Sequence, residues 1–410
     1  MIPSPPTLPA TAAEHALRPP PSPTPIPTAM PAPLPTPLPQ PPTLMVQQKP
    51  GNGGHPTLAD FWEGRARFVL IQKDTGLPMG ESDTIVMSNG EFWSYLHASE
   101  QSAGTVDQCG NPVPFPGCTV IYRSTDSGHT FTTGDESGQT PVCQFECLQC
   151  PCTSEDDHIE QQQYPRVFFD GDRLRLVYEY LGRTMYRQST AGLTWSRPER
   201  IAKTGVWDVW LRPCPPGEAI GKHPYIYEDY ECLSGAPPGI YVSEEEVYVF
   251  VAAGQNPGGM GCYVGGLEAG GADFRRCEHN PLFKGAAAYG PAAIGPDTNP
   301  YFDFRTVSSA DVQRIGQGEK ARFYMVYEGI RGPSHINPAD NQFGLGLARS
   351  STGEIDGPWE TYPENPILVD LPGNIGLGHA DLVVHEGRTI LYTSLDGIVR
   401  SRLDLVWRKE

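Results

Sequence analysis

One two-strand phrase recurs five times along this chain, and a recurring phrase of strands leaves few folds open. Each copy sets a polar residue before a short apolar strand, then a turn, then a second strand rich in Tyr, Val and Leu. The copies lie at 83–87 with a return at 92–96, at 165–169 with 174–178, at 239–242 with 247–250, at 306–309 with 323–327, and at 380–384 with 389–392. Ser88-Asn89-Gly90, Asp170-Gly171-Asp172 and His385-Glu386-Gly387 supply the turns, because Asn, Asp and Gly tolerate the positive φ of tight hairpins. The repeat of roughly 70 to 80 residues is wider than that of common propellers, so each unit carries insertions. Alternating strands without a long amphipathic helical run predict an all-β fold: a five-bladed β-propeller of four-stranded antiparallel blades over 58–410, which buries the edges a flat sheet leaves exposed. A propeller grows by adding blades, so this length is compatible with one domain.

Third and outer strands follow some copies. The run Tyr122-Arg123-Ser124-Thr125-Asp126-Ser127-Gly128-His129-Thr130-Phe131 resembles the Asp-box of sialidases and related propellers, whose Asp and Gly close a tight turn before a packed aromatic. A decayed copy, Ser189-Thr190-Ala191-Gly192-Leu193-Thr194-Trp195, follows in the second unit, with Ala191 in place of the Asp. Its implied role is architectural.

Residues 1–57 are a different material. Pro-Pro-Pro-Ser-Pro-Thr-Pro and similar runs carry little that could be buried, which predicts a disordered, polyproline-rich segment. Such a segment serves as a stalk tethering a domain to a cell envelope, as a linker, or as a tail without a partner.

Ten cysteines occur. Cys109 and Cys118, Cys214 and Cys232, and Cys262 and Cys277 fall as local pairs, while Cys143, Cys147, Cys150 and Cys152 crowd one insertion. An even count in a loop-rich chain reads as disulfides in an oxidising compartment, hence a secreted or cell-surface protein. A zinc site from the crowded four and His158 is the rival. A net charge of −18 speaks against nucleic acid or an anionic membrane as partner. No secretory or membrane-spanning stretch is seen in the sequence, and membrane insertion is not expected.

In a propeller the first polar residues of the inner strands converge on one mouth of the central channel. The candidates are Asp83, Tyr164, Arg166, Ser309, Asp311, His379 and Asp381, with Glu179 and Glu328 closing second strands. A carboxyl directly after a buried apolar strand is a candidate acid, because burial raises its pKa. Trp207 and Trp210 lie in a loop and could stack on sugars or pack between blades, and Arg166 and Arg331 could hold a carboxylate or form surface ion pairs. No Gly-x-Ser-x-Gly elbow, His-Glu-x-x-His or phosphate loop is present.

Glu81-Ser82-Asp83-Thr84 before Phe92-Trp93-Ser94-Tyr95-Leu96, Gly378-His379-Ala380-Asp381, and Gly357-Pro358-Trp359-Glu360 with Asn365-Pro366-Ile367-Leu368 are together similar to motifs of the five-bladed glycoside hydrolases, the arabinanase, β-xylosidase and α-L-arabinofuranosidase group. The resemblance implies a hydrolase of oligo- or polysaccharide with Asp83 as base or nucleophile. It also implies His379 near the channel axis and, beside a chemistry that requires no cofactor, room for a structural calcium in the channel. Two departures stand out: Arg166 occupies the place of an expected Asp, and Glu328-Gly329 ends a second strand instead of opening an inner one. Cleavage needs two carboxyl groups across the bond. The expected pair is Asp83 as base with Glu328 or Glu179 as acid, and Asp311 or Asp381 as the neighbour that shifts the acid's pKa. A non-catalytic glycan-binding or surface-assembly propeller, and a sialidase-like enzyme with a Tyr nucleophile, remain open at this point.

Overall fold

The computed structural model describes residues 49–98, 118–133, 163–180, 183–192, 195–201, 234–253, 259–284, 302–303, 306–330, 343–369 and 380–409. The five phrases become five antiparallel sheets, as expected. Blade one is Ser82–Val86, Phe92–Ala98, Cys118–Ser124 and Thr132–Thr133, and blade two is Gln163–Phe169, Leu174–Tyr180, Arg183–Ser189 and Glu199–Arg200, each in that order. Blade three runs Ser234–Val242, Glu246–Ala253 and Gly259–Gly266, with Arg275–Arg276 and Phe283–Lys284 sharing the outermost place. Blade four runs Thr306–Ile315, Arg322–Ile330 and Phe343–Ser350, with Trp359–Thr361 and Leu368–Val369 as its divided outer strand.

Blade five closes the ring with a strand from the other end of the fold. Asp381–His385, Arg388–Thr393 and Ser401–Trp407 are completed by Ala66–Gln72, which pairs antiparallel with Ser401–Trp407 from Ala66 opposite Trp407 to Gln72 opposite Arg402. The five inner strands neighbour one another in ring order, one to two to three to four to five and back to one. A short helix, Leu58–Trp62, locks the closing strand. The Thr57 amide and hydroxyl both donate to Asp60 Oδ2 at 2.8 Å, which caps its first turn. The Trp62 ring then lies 6.3 Å from Tyr324 and 5.3 Å from Tyr362 of blade four.

The core consists of apolar wedges between blades. Aromatic pairs at edge-on geometry sit in the seams: Tyr95 with Trp195, Phe168 with Tyr241, Tyr241 with Phe323, and Phe131 with Tyr392. Two turns after third strands repeat one device. Ser124 Oγ accepts from the Gly128 amide (3.0 Å), and Ser189 Oγ accepts from the Gly192 amide (2.7 Å). Each glycine carbonyl then accepts from a tyrosine of the preceding blade, Tyr392 on Gly128 (2.7 Å) and Tyr95 on Gly192 (3.1 Å). In the first turn Asp126 adds bonds from the His129 and Thr130 amides, and these donors hold its carboxyl down at about 2 against the opposing effect of burial. Ala191 lacks that carboxylate, yet Ser189 still gathers the Ala191 and Gly192 amides in the second turn.

Cys262 and Cys277 are joined in a disulfide across blade three. The other proposed cysteine pairings involve residues outside those described, as does the zinc alternative. Among the described residues no helix is long and apolar enough to cross a membrane.

Candidate functional site

Polar residues of the inner strands meet at one mouth of the channel, Asp83 and Asp381 at the starts of their strands and Arg166 and Asp311 midway along theirs. Asp83, Asp311 and Asp381 come from blades one, four and five, and one carboxylate oxygen of each lies within 4.8 Å of the others. Arg166 of blade two joins them. Its Nη1 donates to Asp83 Oδ1 (3.3 Å) and to the Ser82 carbonyl (3.4 Å), and its Nη2 donates to Ser309 Oγ of blade four (2.5 Å).

Two irregularities make this meeting geometrically feasible. Strand register breaks between Gln163 and Arg166 and again between Ser308 and Ala310. Inside those breaks Tyr164 and Ser309 hold positive φ, 53° and 45°. Bulges re-aim side chains at the rims of sheets, and non-glycine residues in the left-handed region carry strain that the surrounding fold must hold. Arg166 and Ser309 are thereby turned toward each other across the ring.

Each aspartate also clasps the next blade. Asp83 accepts from the Val167 amide of blade two. Asp311 Oδ2 accepts from the Leu382 amide of blade five (2.6 Å). Asp381 accepts from the Thr84 amide (2.9 Å), the Thr84 hydroxyl (2.7 Å) and the Ser82 hydroxyl (2.9 Å) of blade one. Three seams are thus stitched by carboxylates at the edge of the same cluster, which answers the backbone donors that a radial arrangement of sheets would leave unmet.

Three carboxylates so close together, Asp83 and Asp381 buried and Asp311 half-buried, resist ionising together. Burial drives the Asp83 carboxyl well above its usual range, against the pull of Arg166 and with repulsion from Asp311 and Asp381. Burial lifts Asp311 to about 7, opposed by Arg166 and the Leu382 amide. Asp381 is also raised by burial, although Arg400 and Thr84 oppose this. Glu328, near the end of a second strand, is lifted by burial to about 8 despite accepting from Ser308 Oγ at 3.0 Å. Arg400 is lowered to about 10 by its own burial, and its Nη2 donates to the Tyr392 carbonyl at 3.2 Å.

Of the residues singled out from sequence, Asp83, Arg166, Asp311 and Asp381 come together here, with Ser309 attached to them through Arg166. Glu328 is buried and within electrostatic reach of Arg166 and Arg400. Glu179 is buried at the mouth end of its strand, opposite Gln163. Tyr164 is half-buried in the blade-two bulge. Trp207, Trp210, Arg331 and His379 lie outside the described residues. Ser82, Thr84 and Arg400 were not anticipated. Ser82 and Thr84 flank Asp83 on an inner strand, and that run of three polar residues was their available signal.

No protein-family model matches the chain, and no curated protein sequence does. Solved structures similar to it include the catalytic domain of a GH62 α-L-arabinofuranosidase from Coprinopsis cinerea, at 12% identity and a TM-score of 0.46 over 84% of this chain and 96% of that one. An endo-arabinase from Bacteroides thetaiotaomicron has 15% identity and a TM-score of 0.46, over 83% of this chain and 99% of that one. A xylan β-1,4-xylosidase from Bacillus halodurans has 12% identity and a TM-score of 0.44, over 82% of this chain and 54% of that one.

Proposed function

We propose that the chain is a secreted or surface-displayed glycoside hydrolase, with Glu328 as general acid and Asp83 as base or nucleophile. The observation that carries this reading is the meeting of Asp83, Asp311 and Asp381 at one propeller mouth, with Glu328 buried within electrostatic reach of the Arg166 that binds Asp83 and lifted by burial to about 8. Glycosidic cleavage needs that pairing of a proton donor with a second carboxyl group. Asp311 and Asp381 would set the charge against which the acid titrates, and Arg166 would hold Asp83 in place. Tyr164, and any sugar-stacking role of Trp207 and Trp210 or carboxylate-binding role of Arg331, belong to the same proposal.

The three aspartates also fit a calcium ion. Oxygens within 4.8 Å of one another match ligands that stand about 2.3–2.6 Å from the metal. A bound calcium would supply charge neutralisation and would engage Asp83, so an ion at this place and Asp83 as base are alternatives, while Glu328 would keep its role as acid in either case.

A second reading is favoured by one specific observation: Asp83, Asp311 and Asp381 each spend a carboxylate oxygen on a backbone amide of the next blade. Carboxylates so engaged suit a glycan-binding propeller in which the cluster is structural. Products released from arabinans, xylans, mannans, fructans and sialylated glycans, followed by mass spectrometry, separate the two. Hydrolysis that is lost in both Glu328→Gln and Asp83→Asn supports the enzyme. Activity retained in both variants removes these residues from the proposal, and no product from any glycan favours the binding propeller.

A further inference from the structure

Below the carboxylate cluster the channel wall changes character. Two residues further along their strands from Asp83, Arg166, Asp311 and Asp381 stand Ile85, Phe168, Gln313 and Val383, and Ile240 of blade three lines the same space. All are apolar except Gln313.

Gln313 is only 8% exposed, and both its Nε2 and its Oε1 are buried with no hydrogen-bond partner among the described residues. A carboxamide left unmet on both atoms costs free energy that a leucine in the same place would avoid. Such a group needs a polar occupant beside it. Gln313 lines the channel, a cavity of about 100 Å³ whose other polar walls are Asp83, Thr84, Arg166 and Asp311. A water needs roughly 10–15 Å³ of such space, so the cavity has room for several molecules. Gln313 lies two residues beyond Asp311 on the same side of its strand, a rise of about 7 Å. One or two hydrogen-bonded waters bridge such a gap.

We propose that the channel holds a short column of ordered water running from the Gln313 carboxamide to the Asp311 and Asp83 carboxylates, and that this column feeds the hydrolytic step at the mouth. The second half rests on the glycosidase reading above. Each cleaved bond consumes one water. The glycosidic C–O bond breaks, the water oxygen bonds to the anomeric carbon, one water proton passes to Asp83, and the Glu328 proton leaves on the departing sugar oxygen. A sugar entering the mouth from outside covers the outer face of the carboxylates, so the channel side is where water still reaches them. Gln313 is then a positioning residue for that water and touches no substrate.

A high-resolution crystal structure tests the column without reference to activity. Water density within hydrogen-bond distance of both Gln313 amide atoms, continuing to Asp311, is the expected result, while a dry channel or a metal ion at Gln313 overturns it. Steady-state kinetics of Gln313→Leu, with Gln313→Met as a second apolar replacement should the first fail to fold, test the supply. The expected outcome is an unchanged KM with kcat lower by about tenfold, the effect of losing roughly one hydrogen bond to the attacking water. An unchanged kcat overturns the supply role. Should the native chain cleave no glycan, the glycosidase reading and the supply role fail together, and the crystallographic result still decides the column.

Discussion

Protonation of the mouth predicts an unusual dependence of stability on pH, and Asp311→Asn isolates it. Below pH 3.8, the ordinary value for this carboxyl, Asp311 is protonated in the folded and unfolded chains alike. Between there and about 7 the unfolded chain releases its proton while the folded chain keeps it. The unfolded state therefore binds fewer protons through that window, and stability falls as pH rises across it. Lifting a carboxyl from 3.8 to about 7 corresponds to about 4 kcal/mol between its protonation states. Asp311 keeps some contact with solvent, so that figure is an upper bound. Urea unfolding at a series of pH values, with chelator present, measures the slope. The native chain is expected to lose stability from pH 4 to 7, and Asp311→Asn to lose less, because an amide keeps an acceptor for the Leu382 amide without ionising. Native stability that rises over this range, or a variant slope equal to the native one, would refute the reasoning.

Two further perturbations reach different parts of the fold. Gly128→Ala would place a Cβ 2.1 Å from the Tyr392 hydroxyl at a φ of +79° and is expected to cost roughly 2–4 kcal/mol in denaturant unfolding; a change within error would remove the glycine turn from the account of blade packing. Calcium is expected to raise Tm at pH 7.5 more than at pH 5, because protons compete for the same three carboxylates, and to do so less in Asp381→Asn. Scanning calorimetry with and without chelator reads this, and a Tm indifferent to calcium removes the ion from the proposal.

The parts of this fold legible in sequence were those written locally. Paired apolar runs split by short polar turns, Asn-Gly in blade one and Asp-Gly in blade two among them, specify hairpins whatever lies around them, so all five blades could be read. Ala66–Gln72 could not be placed, because an apolar segment carries no mark of a partner more than three hundred residues away. The site divides in the same way. Asp83, Asp311 and Asp381 could be proposed because each opens or lies within an inner strand. The meeting of Arg166 with Ser309 depends on two bulges that break the two-residue period on which such reasoning rests. In the sequence Arg166 reads as a departure from an expected aspartate, as a ligand for a carboxylate on the substrate, or as one half of a surface ion pair. In the structure its guanidinium is already engaged by Asp83 and Ser309.

The composition of blade five has a consequence for how the chain is made. Its outermost strand leaves the ribosome before any blade is built, and the strand that receives it emerges last. During synthesis Ala66–Gln72 is therefore an apolar ribbon with an unanswered edge, at risk of pairing with another chain, for as long as translation of the remaining blades takes. Closure is a contact of very high sequence separation, which places it among the slow steps of folding. A circular permutant that joins this strand directly ahead of blade five's other three would turn that late event into a local one, and should fold faster and aggregate less during synthesis.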